Sequence, residues 1–110
     1  MAEAFEDVMR TLAAEYRGKL PARLEDIERL WRESESDAQA LVSLRRELHT
    51  VAGSAATFGL PALSAAARAA EHHLDPVLDQ GTTLDRPALR TLLDAVRDVL
   101  RLAADPAARH

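Results

Sequence analysis

Apolar residues recur at steps of three and four along four separate stretches of this chain, and that spacing leaves little choice of fold. Phe5, Val8, Leu12, Tyr16, Leu20, Leu24, Ile27 and Trp31 form the first stripe. Such steps return to one face of a 3.6-residue helix. Gly18 and Pro21 interrupt the stripe. Pro21 removes a backbone donor and crowds the preceding turn, so a kink or short break is expected there. The stripe stays in phase across Pro21, which favours one kinked helix or two closely joined ones.

The polar run Glu33-Ser34-Glu35-Ser36-Asp37 ends this unit, and Ser36 or Asp37 can cap the next helix. Leu41, Leu44, Leu48, Val51, Ala55 and Phe58 are its apolar face. Gly59 stops it, and Pro61 opens a third helix carrying Leu63, Ala67, Ala70 and Leu74. That helix is expected to end near Asp75, before Pro76. Gln80-Gly81-Thr82-Thr83 reads as a loop. Asp85 caps a fourth helix with Pro87 in its first turn and a stripe of Leu89, Leu92, Leu93, Val96, Val99, Leu100 and Ala103. Short loops make neighbouring helices antiparallel, so the expected fold is an all-α, up-down four-helix bundle, its first helix extended by the N-terminal segment. At 110 residues the chain fits one domain, residues 1–104, with a flexible tail over 105–110.

Composition narrows function by exclusion. There is no cysteine, hence no disulfide framework and no thiolate metal site. The start is acidic and lacks an apolar core of the signal-peptide kind, and no apolar run is long enough to span a bilayer. The cytosol is the expected location, with no membrane partner. A net charge of -4 gives no reason to expect nucleic acid. There is no Gly-rich phosphate loop, so the chain has no ATP site of its own. His72 and His73 point about 100° apart on a helix and do not suit one metal. No metal site and no cofactor are expected.

His49 stands out. On a helical wheel it falls on the exposed flank of the second helix, with Arg45, Arg46, Ala52, Gly53 and Ala56 as its neighbours. Gly53 costs a helix interior roughly 1 kcal/mol against alanine. Its missing side chain lets a partner reach the imidazole, lets a neighbouring helix pack closely, or is neutral; spacing alone does not choose.

The stretch resembles the signature of histidine-containing phosphotransfer domains. His49, Val51, Gly53-Ser54-Ala55 and Phe58-Gly59 fit the pattern, and Leu60-Pro61-Ala62-Leu63 with Ala66-Ala67-Arg68-Ala69-Ala70-Glu71 look like the helix that follows. At residue level the likeness runs from about Leu41 to Leu74. It implies that His49 accepts a phosphoryl group from a receiver-domain aspartate or a kinase and passes it to another receiver. The chain is then a phosphocarrier and not an enzyme. Glu71 aligns with the position that contacts and orients the histidine. Val42, Ala52, Gly53 and Ala56 form the expected docking surface around His49, rimmed by Arg45, Arg46 and Arg68. The implied partners are response-regulator receivers and a sensor histidine kinase, met by a monomer, with magnesium supplied by the partner. One position departs: the lysine often found three after the histidine is Ala52. Either the site is weaker, or Arg45, Arg46 or Arg68 supplies the charge, or the chain is a receiver-binding adaptor without phosphate chemistry.

Overall fold

The computed structural model describes residues 2–106. They form four helices: α1 (Ala2–Glu33), α2 (Gln39–Thr57), α3 (Pro61–Gln80) and α4 (Arg86–Ala104), with no strand among the described residues. Each helix packs on its two neighbours in the ring α1–α2–α3–α4, and α2 with α3 share the most extensive contact. The expected four-helix bundle is what the chain builds. Leu20, Ile27, Leu44, Leu48, Leu63, Leu74, Leu89, Leu93 and Leu100 fill its centre from all four helices.

Local signals account for most boundaries. Asp37, rather than Ser36, supplies the oxygen at the start of α2, its Oδ1 accepting from the Gln39 N–H at 2.9 Å. Gly59 ends the α2 unit at φ 73°, and the Leu60 N–H reaches back to the Ala55 carbonyl at 2.8 Å. This left-handed turn satisfies carbonyls that the helix end would orphan. Asp85 caps α4 by accepting from the Ala88 N–H at 3.0 Å.

Of the kink or break expected at Pro21 the break does not occur, and α3 does not end before Pro76 as expected. α1 runs through Gly18 and Pro21 without a break. An interior proline costs about 3 kcal/mol, while a buried aliphatic side chain returns about 1.5–3 kcal/mol. Leu20, Leu24 and Ile27 are buried on both sides of Pro21, so the helix continues. The same contest extends α3 past Pro76 to Gln80, five residues beyond the expected end at Asp75. Val77 and Leu78 pack against the core, and Arg45 grips Asp75 at 3.3 Å and Asp79 at 2.9 Å, one on each side of the proline. Gly81, at φ 71°, then stops the helix. α4 ends at Ala104. Of the tail expected over 105–110, residues 107–110 lie outside the described residues.

The far end of the bundle is clamped by charge. Arg90 donates to both oxygens of Glu28 at 2.8 Å, and Arg86 stacks over the Trp31 ring at 4.0 Å. The Arg90 hydrogen bonds, opposed by burial and aided by the nearby positive charge, hold the Glu28 carboxyl below its ordinary range. A lowered folded-state pKa means that this stability is complete above the unfolded glutamate value of about 4.3 and is lost as pH falls through the folded value. The expected outcome for Glu28→Gln is a loss of roughly 1–2 kcal/mol at neutral pH that shrinks below about pH 4. Urea denaturation at both pH values checks it; an equal loss at both removes the charge from the account.

Candidate functional site

The site begins with how closely α2 and α3 approach. Ala52, Ala55, Ala67 and Ala70 are buried where the helices meet. Small side chains allow the backbones near enough for Ser64, on α3, to donate its Oγ–H to the Ala52 carbonyl on α2 at 2.7 Å. On α2's other flank, Ser54 Oγ hydrogen-bonds the Tyr16 hydroxyl at 2.8 Å, and the Tyr16 ring stacks on Phe58 at 4.8 Å between centroids. The second helix is thus fixed in rotation from both sides.

That rotation presents His49 near the middle of α2, with 72% of its side chain exposed. From the middle of α3, Glu71 reaches it: His49 Nδ1 lies 2.6 Å from Glu71 Oε2. Glu71 itself is only 13% exposed, and its Oε1 is buried without a partner among the described residues. An ionised carboxylate only accepts hydrogen bonds, so beside one a neutral ring would carry its proton on Nδ1. Nε2 would then carry the lone pair, on a ring that projects into solvent. The arrangement is an exposed imidazole whose Nδ1 faces a largely buried carboxylate.

A family model for the Hpt domain matches residues 11–101. The chain belongs to the Hpt domain family. Hpt domains are phosphocarriers that serve histidine phosphotransfer in phosphorelays, and the family interacts with receivers and kinases. Comparison with curated proteins and with solved structures returned no match. Among the described residues no helix is long and apolar enough to cross a membrane, and no group of three potential metal ligands gathers.

The expected docking residues of this Hpt domain divide into two groups. Arg46, Gly53, Ala56 and Arg68 are exposed near His49, and Val42 is half-buried. Arg46 and Arg68 have no ion-pair partner among the described residues. Two members need correction. Ala52 is 1% exposed and cannot meet a partner; its wheel position turns it towards α3. Arg45 is held by Asp75 and Asp79, with the Asp79 hydrogen bond the larger cause of its raised pKa, and it acts as a clamp between helices. His72 is exposed and His73 half-buried, as surface and boundary residues.

Ser64, Tyr16 and the Asp75–Asp79 pair were not singled out by sequence. The aspartates are four apart on one helix face, a usable signal once α3 is known to pass Pro76. Space removes the close-packing reading of Gly53 and leaves partner access or a neutral glycine. A Cβ built there meets nothing within 4 Å, so no neighbouring helix requires the glycine. The gap is open to the outside, beside His49.

Two substitutions therefore separate. Gly53→Ala is expected to stabilise the fold by about 0.5–1 kcal/mol, measured by thermal or urea unfolding. Gly53→Leu is expected to keep helicity by circular dichroism and to block access of a receiver to His49. Normal phosphotransfer by the leucine variant would remove the open-backbone argument.

Proposed function

We propose that this chain carries a phosphoryl group on His49 Nε2, taking it from the aspartyl phosphate of one receiver, or from a kinase, and delivering it to another receiver. The observation that carries the reading is the 2.6 Å contact between His49 Nδ1 and the largely buried Glu71, on a ring otherwise open to solvent. In the forward step the Nε2 lone pair attacks phosphorus. A nitrogen–phosphorus bond forms, the bond to the aspartyl oxygen breaks, and the aspartate leaves as carboxylate. No proton needs to move. The ring keeps its Nδ1–H and gains positive charge, which the adjacent Glu71 carboxylate stabilises. Delivery to the next receiver reverses these bonds.

The phosphoryl group brings two negative charges to a place that already holds Glu71. Arg45 is committed to its aspartates, and Ala52 offers no charge. Arg46 and Arg68 remain exposed on either side of the site, available to the phosphoryl oxygens and to a receiver's acidic pocket. Charges of this kind speed encounter more than they tighten a complex.

The test is transfer from a phosphorylated receiver in the presence of magnesium, read as acid-labile, base-stable phosphate on the chain. His49→Gln is expected to fold normally, because the side chain is exposed, and to accept nothing. Phosphate retained in that variant would move the chemistry elsewhere, and no phosphate on the parent chain would leave a receiver-binding adaptor. Glu71→Ala is expected to slow transfer by about ten- to a hundred-fold without abolishing it, since the nucleophile remains while its tautomer is released. Nitrogen chemical shifts of the His49 ring report the tautomer directly, and unchanged shifts with an unchanged rate would return Glu71 to a packing role.

A further inference from the structure

The direction of the His49 ring separates the two free arginines beside it. His49 Nδ1 faces Glu71 on α3. Nε2 lies across the ring from Nδ1, so a group bonded there projects away from α3. Two neighbours fix the sense of rotation around α2. Arg45, about 40° to one side of His49, reaches Asp75 and Asp79 on α3. Ala52, about 60° to that same side, is buried, with its carbonyl bonded by Ser64 of α3. Arg46 and Gly53 lie at about 60° and 40° on the other side, the one towards which Nε2 projects. Side chains on a helix lean towards its N-terminus, so the His49 ring covers the turn of Arg46 and not that of Gly53. Arg68 leans the other way. α3 runs antiparallel to α2, as the pairs Arg45–Asp75, His49–Glu71 and Ala52–Ser64 show. Arg68 therefore inclines towards the start of α3, where it lines a groove with Ala56, Gly59, Pro61, Ser64 and Ala65. On α1, Arg23 is held by Glu47 at 3.0 Å. Lys19 lies between Tyr16 and Arg23 and leans towards the start of α1, away from the Arg46 turn.

We infer that Arg46, and not Arg68, binds the phosphoryl group carried on His49 Nε2. The inference rests on the phosphotransfer reading above and narrows it to one arginine. Arg46 is exposed and has no ion-pair partner among the described residues. Its neighbours at three and four residues, Val42, Ser43, His49 and Thr50, include no acid, and the adjacent Glu47 turns to Arg23. No carboxylate on its own helix competes for it. Its planar guanidinium offers paired donors that match two phosphoryl oxygens at once. The imidazole then stands between two opposite charges in the right order. Glu71 on the α3 side balances the positive charge that the ring gains, and Arg46 on the far side balances the phosphoryl oxygens. The two anionic groups are kept on opposite edges of the ring. Because this contact exists in the free carrier, it stabilises the loaded form itself and not only the complex with a receiver.

Phosphoryl exchange between a phosphorylated receiver and the full chain, followed to equilibrium at concentrations where the proteins stay apart, reads the stabilities of the free forms alone. Docking contacts do not enter it. Arg46→Gln is expected to shift that equilibrium about five- to tenfold towards the receiver. Arg68→Gln is expected to leave it unchanged, and Arg46→Lys, which keeps the charge, to recover most of the shift. A second donor needs no partner protein: phosphoramidate passes its phosphoryl group to an imidazole nitrogen and releases ammonia. The phosphorus resonance missing from a His49→Gln chain so treated belongs to His49. Its titration is expected about half to one pH unit higher in Arg46→Gln than in the parent, because a nearby cation favours the more highly charged phosphoryl group. An unmoved equilibrium or titration in Arg46→Gln, an equal shift in Arg68→Gln, or no recovery with lysine overturns the assignment. Loading by phosphoramidate but not by the receiver, with the titration shift intact, would sink the relay reading alone. His49 loaded by neither donor removes both.

Discussion

The close approach of α2 and α3 is the condition on which the rest of the site stands. Alanines at the contact let two backbones meet near enough for Ser64 to reach the Ala52 carbonyl, and the same spacing brings Glu71 under His49. A leucine at Ala67 or Ala70 would push the helices apart and lengthen that contact beyond hydrogen-bonding range. Packing density and chemistry are set here by the same few methyl groups. The polar ties around α2, from Tyr16, Ser64 and the Arg45 clamp, then hold its rotation. Rotation matters more than position, because some 60° separates a solvent-facing His49 from a buried Ala52 on the same helix.

Much of this was legible in the chain. Four stripes at helical spacing determine the bundle, and the left-handed turn at Gly59 and the cap at Asp85 determine two of its corners, while the cap expected of Ser36 or Asp37 falls to Ala38 with no side-chain bond. What escaped was decided by neighbours rather than by local rules. Proline breaks helices in isolation, yet Pro21 and Pro76 sit inside α1 and α3 because buried side chains on both sides outweigh one lost hydrogen bond. A wheel places Ala52 beside His49 correctly in angle but does not say where the third helix stands. Arg45 looked free because its partner Asp79 lay beyond the expected end of α3. Phe5, Val8 and Leu12 continue the core stripe in sequence, but the helix they would pack on has already ended.

His49 and Glu71 differ sharply in exposure although they touch, and under the proposed phosphotransfer the difference would bear on how loaded and empty forms are told apart. A group added at Nε2 lands outside the packed helices. Nothing in the core has to repack to admit it, and the buried carboxylate stays where it is. The two forms then share one shape and differ in charge at a single point on the surface. A partner that distinguishes them must do so by reading potential rather than contour. A carrier built this way would store its message without deforming, and the fold would neither gain nor lose strain as the message passed through.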